Sequence, residues 1–156
     1  MKLPVFRPGL DAHVFCHQND AVIVPAEASP LESPARAILI VDDDPSVAET
    51  FSRMLKLEGF SVATALSAEA GLEAATHSRP DAIILDMRMP ITNGLQFLRL
   101  VRAIPHLADV PVAIVTGDYF LADSIQLELT SLGASVRFKP MWLEDLIALA
   151  KTLVAA

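Results

Sequence analysis

From Ala37 onward, short apolar runs alternate with segments in which apolar residues recur every three or four positions. The runs at 37–41, 60–65, 81–85, 110–115 and 134–138 have the length of strands. The segments between them predict helices, with Val47, Phe51, Met54 and Leu55 on one stripe and Leu121, Ile125, Leu129 and Leu132 on another. Asp44-Pro45 and Ser67 mark helix starts, each offering a capping oxygen, with Pro45 suited to a first turn. A last helical segment, 142–154, completes five strand–helix units, the pattern of an α/β domain around a parallel sheet. Ile38-Leu39-Ile40-Val41 and Ile83-Ile84-Leu85 are apolar at every position, as strands covered by helices on both faces are. The predicted fold is a doubly wound, five-stranded parallel sheet of flavodoxin-like order 2-1-3-4-5. Ligands bind such sheets beyond the carboxyl ends of the strands, where the winding reverses.

The chain before Ala35 has a different character. It holds five of the eleven prolines, and residues 26–34 mix proline with Ala, Ser and Glu. Residues 1–36 therefore read as an N-terminal arm or linker and 37–156 as the folded domain. Within the arm, residues 13–17 and 21–24 flank Gln18-Asn19-Asp20 in the pattern of a small hairpin. His13, Cys16 and His17 stand at a spacing metal ligands use, but without a clear fourth ligand.

Composition narrows the classes. The 156 residues allow one core, and the 53% hydrophobic content with mean hydropathy +0.44 belongs to it. No apolar run approaches the roughly 18 residues of a membrane span, and the N-terminus lacks the continuous apolar segment of a secretory signal. The expected setting is cytoplasmic, with no membrane partner. Cys16 is the only cysteine, which excludes an internal disulfide and a four-cysteine zinc site. A formal charge of −7 and a pI near 4.9 argue against a nucleic-acid surface, which would need a basic stripe. Proteins or cations are the expected partners.

Four strand runs end on reactive or polar residues. Val41 precedes Asp42 and Asp43, Leu85 precedes Asp86, Val115 precedes Thr116 and Phe138 precedes Lys139. The carboxyl ends of parallel strands share one edge, so these side chains face one cleft. If the first and third strands are neighbours, three carboxylates converge, and their repulsion must be relieved by protonation or a cation. Magnesium suits such a site, because it takes a few carboxylate oxygens and keeps waters. A screened Asp86 carboxylate can then attack phosphorus and form an acyl phosphate. The metal, the Lys139 ammonium and the Thr116 hydroxyl would share the charge of the phosphoryl oxygens. Taken singly, Asp44 is a helix cap, Lys139 a surface lysine and Thr116 a strand-end hydroxyl. Taken together, the residues at the strand ends are a site.

Ile40-Val41-Asp42-Asp43-Asp44, Leu85-Asp86-Met87-Arg88-Met89-Pro90, Thr116-Gly117 and Lys139-Pro140 resemble, in order and spacing, the receiver domains of two-component response regulators. The resemblance covers about residues 37–154. It implies that Asp86 is the phosphoacceptor and that Asp42 and Asp43 form, with Asp86, the acidic site for Mg2+ or Mn2+. The backbone carbonyl of Arg88 would be a further metal ligand, Thr116 the switch hydroxyl, and Lys139 the phosphate-contacting lysine, with a cis bond to Pro140. Donors would be a phosphohistidine on a sensor histidine kinase or histidine phosphotransfer protein, or small acyl phosphates. The protein would be a switch and not an enzyme. With no room after Ala156 for an effector, the expectation is a stand-alone receiver acting through protein contacts. A homodimer through the fourth and fifth helices, where Leu127 and Trp142 add apolar surface, is one route of output.

Three positions depart from that pattern. Val136 replaces the Tyr or Phe usual three residues before the lysine, Asn93-Gly94 stands for Asp-Gly, and Met141 replaces the common Phe after Lys-Pro. None removes a group needed for phosphorylation. Valine has no ring to swing, so position 136 is not expected to serve as the usual aromatic switch. One rival reading is a degenerate receiver acting as a constitutive interaction module. Another is an aspartyl-phosphate hydrolase of the haloacid-dehalogenase type, which needs an acid where this chain has Arg88. Arg88 and Asp118, two residues after Asp86 and Thr116, carry opposite charges and are expected to project past the phosphoryl group. If they meet, they lie across the path of the hydrolytic water. Met87 and Met89 read as packing residues, and Trp142 as a partner-binding or core-edge aromatic.

Overall fold

A computed structural model of the chain describes residues 33–156. The expected hairpin and the His13, Cys16 and His17 group lie outside the described residues. The elements run β1 (Ala37–Val41), α1 (Pro45–Leu57), β2 (Ser61–Ala65), α2 (Ala68–His77), β3 (Ala82–Asp86), α3 (Gly94–Ala103), β4 (Val112–Thr116), α4 (Asp123–Ser131), β5 (Ala134–Phe138) and α5 (Leu143–Val154). All strand pairs are parallel, in the order β2-β1-β3-β4-β5. The chain winds from β1 outward to β2, then returns to the other side of β1 for β3, so the winding reverses between β1 and β3. The doubly wound α/β fold follows as expected.

Alternation along the central strands divides the core in two. Leu39, Val41, Ile83 and Leu85 face a layer with Ala75 of α2, Phe97, Leu98 and Val101 of α3, and Leu129 of α4. Ile38, Ile40, Ala82 and Ile84 face Ala48 and Leu55 of α1 and Leu146, Leu149 and Leu153 of α5. Each buried Val, Leu, Ile or Phe among them contributes about 1.5–3 kcal/mol by leaving water. Helix α2 rests on β1 because residue 71 is glycine: a Cβ there would stand 2.8 Å from Val41 Cγ2.

The helix starts are those the sequence marks. Asp44 Oδ1 accepts from the amides of Ser46 at 2.8 Å and Val47 at 3.3 Å, and Ser67 Oγ from that of Ala70 at 3.1 Å. Asn93 and Gln96 form a reciprocal capping box, each bond 3.0 Å long. Strand boundaries shift by one or two residues. β4 begins after Pro111, which has no N–H to give the ladder, although its carbonyl still accepts from Ile83 N at 2.9 Å. Asp86 and Thr116 belong to their strands instead of following them. No helix among the described residues is long and apolar enough to cross a membrane.

Candidate functional site

Because Val41 is level with Leu85 in the β1–β3 register, Asp42 and Asp86 leave the sheet side by side. Both are buried, while Asp43, one residue further, is exposed. A carboxylate oxygen from each of Asp42, Asp43 and Asp86 lies within 4.8 Å of the others. Lys139 reaches in from the end of β5, and its ammonium donates to Asp86 Oδ1 at 3.0 Å and Asp42 Oδ2 at 3.1 Å. The remaining oxygens are held by the chain itself: Asp42 Oδ1 accepts from Asp44 N at 2.9 Å, and Asp86 Oδ2 from Arg88 N at 3.0 Å.

Burial pushes the Asp86 carboxyl above its ordinary pKa; Lys139 opposes that rise, and the nearby Asp42 charge adds to it. Burial also works against the Lys139 ammonium, but hydrogen bonds and charge from Asp86 and Asp42 outweigh it and hold its pKa above the usual value. Three carboxylates against one ammonium leave excess negative charge in a small volume. That donor set fits a hard divalent cation.

Thr116 is fully buried at the end of β4. Its hydroxyl accepts from Asp118 N at 3.0 Å, and its main-chain carbonyl accepts from Lys139 N at 2.8 Å. Helix α3 starts directly behind the acceptor: Gly94 N donates to Met87 O at 3.0 Å, and a Cβ at Gly94 would stand 2.8 Å from the Asp86 carbonyl. Asn93-Gly94 thus serves both demands of that turn, a cap oxygen and a missing side chain. Arg88 and Asp118 do meet, Nη2 to Oδ2 at 2.6 Å, and the guanidinium holds the Asp118 carboxyl below its usual pKa. The Lys139–Pro140 bond is cis. Met87 and Met89 are buried packing residues, whereas Trp142 is mostly exposed and so does not pack at the core edge.

All the residues singled out at the strand ends are therefore neighbours. Tyr119 and Phe138 were missed. Their rings stack, with centroids 5.2 Å apart and planes at 13°, and the Tyr119 hydroxyl donates to the Lys139 carbonyl. The usable signal was position: Phe138 directly precedes Lys139, and Tyr119 follows Thr116 by three residues.

Residues 38–151 match the response regulator receiver domain as a family. The chain belongs to that family. The receiver is 37% identical over 117 residues to the transcriptional regulatory protein PrrA of Mycobacterium tuberculosis, a match covering 75% of this chain and 49% of the relative. It is 35% identical over 120 residues to the response regulator MprA of Mycobacterium leprae, covering 75% and 50%. The chain spans about half the length of the curated relatives it matches. Among solved structures, chemotaxis protein CheY4 of Vibrio cholerae superposes on the receiver with a TM-score of 0.71 at 28% identity, covering 76% of this chain and 98% of that one.

Proposed function

We propose that this receiver accepts a phosphoryl group on Asp86 from the phosphohistidine of a sensor histidine kinase or histidine phosphotransfer protein, or from a small acyl phosphate. An Asp86 carboxylate oxygen bonds to phosphorus as the bond from phosphorus to the donor nitrogen or oxygen breaks, and that electron pair leaves with the donor. Hydrolysis later restores the carboxylate and releases inorganic phosphate, the added oxygen coming from water. The observation that carries this reading is the Lys139 ammonium shared between Asp86 and Asp42, with an Asp43 oxygen within 4.8 Å of both carboxylates.

Asp42, Asp43 and Asp86, with the Arg88 carbonyl, would hold Mg2+ or Mn2+, which supplies positive charge to the phosphoryl oxygens. Lys139 supports the same oxygens as a compact point charge, and Thr116 turns its hydroxyl to them. The protein turns over no substrate beyond its own phosphorylation and dephosphorylation. Output passes through protein contacts, including a homodimer through α4 and α5, where Leu127 and Trp142 are exposed. The test is intact mass after incubation with magnesium and acetyl phosphate. The wild type should gain one phosphoryl group and Asp86→Asn none. A gain in the mutant removes Asp86 from the role; no gain in the wild type favours a constitutive interaction module.

A further inference from the structure

Val136 is half-buried against the core, and a β-branched side chain there has few rotamers to exchange. Two residues further along β5, an aromatic ring does connect with the site. Phe138 pairs with Thr116 across the β4–β5 register, precedes Lys139 and stacks on Tyr119. Tyr119 is tied on both sides to groups that would hold phosphoryl oxygens. Its hydroxyl donates to the Lys139 main-chain carbonyl, and the residue before it, Asp118, gives its amide to the Thr116 hydroxyl at 3.0 Å. Asp118 is itself fixed, with Oδ1 accepting from Phe120 N at 3.0 Å and Oδ2 from Arg88. A Thr116 hydroxyl drawn toward a phosphoryl oxygen either takes the Asp118 amide with it or breaks that bond. Where the amide follows, residue 119 moves against Phe138; Asp118, held also by Arg88 and Phe120, favours moving as one piece with its neighbour. The two rings are 58% and 41% exposed, so the movement reaches the surface.

We infer that Tyr119 is the positioning residue that couples this site to the surface: its hydroxyl steadies the Lys139 backbone, and its stack on Phe138 registers the displacement of Thr116, a task for which Val136 has no ring. The inference rests on the phosphoacceptor reading of Asp86.

Tyr119 is the only tyrosine in the chain, so labelling the whole protein with meta-fluorotyrosine gives a single fluorine resonance. Labelled wild type and Asp86→Asn are treated with magnesium and acetyl phosphate, with intact mass and fluorine spectrum recorded on the same samples. A second, shifted resonance should grow in with the phosphorylated fraction in the wild type and be absent in Asp86→Asn. Tyr119→Phe, which keeps the ring and loses the hydroxyl, should gain phosphoryl about fivefold more slowly, as expected for one lost hydrogen bond. A mass gain with no second resonance overturns this inference alone, as does a wild-type rate in Tyr119→Phe. No mass gain in the wild type overturns the phosphoacceptor reading and this inference with it.

Discussion

Asp86 is pulled two ways, by burial that favours its proton and by an ammonium that favours its charge, and burial prevails. Its folded-state pKa lies above the ordinary 3.8, so the folded chain holds the proton more tightly than the unfolded chain does. The stability linked to this group is present below 3.8 and lost as pH rises through the raised value. Asp86→Asn, which cannot ionise, should therefore melt higher than the wild type at neutral pH in a chelating buffer, and magnesium should narrow the gap by binding the wild type. Equal midpoints under chelation would contradict this. Lys139 acts at the other end of the scale: its pKa is raised, so its contribution holds through neutral pH and is lost only above 10.5. Removing one carboxylate from the cluster takes away a ligand and much of the local field, and Asp43→Ala should weaken magnesium binding about tenfold or more by isothermal titration. Unchanged affinity would remove Asp43 from the metal site. The Arg88–Asp118 pair is largely solvated on the arginine side and adds little to folding. Its effect is expected in the decay of phosphorylated protein after donor removal, changed up to about tenfold in Arg88→Ala or Asp118→Ala. The two effects should fail to add in the double mutant, and four equal lifetimes would dispose of the idea. Asp42, Asp86, Thr116 and Lys139 were legible because packing alone gives an apolar strand no reason to end on a carboxylate, a hydroxyl or an ammonium. Tyr119 was less so, since a loop aromatic has no period and only its place three residues after Thr116 points to it.

At the scale of elements, α3 and α4 are anchored very differently. Helix α3 has its capping box and a glycine pressed against the acceptor strand. Gly94→Ala should cost about 1–3 kcal/mol of stability by overpacking and slow phosphorylation by displacing Asp86; a wild-type melting curve would count against that contact. Helix α4 has Ala122 at its N-cap, with no side-chain cap, and buries only Leu129. Its ties to α3 are polar, Arg99 Nε to Glu128 Oε1 at 2.6 Å and Arg102 Nε to the Leu132 carbonyl at 2.7 Å. Ala122→Asp supplies the missing cap and should stabilise the fold by about 0.5–2 kcal/mol, read as a higher unfolding midpoint. The stripe Leu121, Ile125, Leu129 and Leu132 was visible in the sequence, but its ends lie outside the helix. Leu121 packs from the preceding loop and Leu132 is the C-cap, because apolar spacing reports which side chains face the core and not where helical hydrogen bonds stop.

For the molecule as a whole, the sheet order was legible because wholly apolar strands demand cover on both faces, and alternating helices provide it only by winding both ways. Which surface meets a partner carries no such constraint. Leu127 and Trp142 are 71% and 70% exposed, and if α4 and α5 form the proposed dimer, phosphorylated protein should sediment as a dimer that Leu127→Asp returns to monomer. A phosphorylated wild type that stays monomeric would rule this route out. The place of Asp86 in the ladder has a further consequence, in the language of amide exchange. It closes β3, the central strand and one buried along its whole length, where amides exchange last, on global opening alone. Deuterium should therefore enter β3, with the equally buried β4, after the edge strands β2 and β5, and the phosphoryl mark sits on a slow-opening part of the protein. Water can erase the mark while the strand that carries it stays closed.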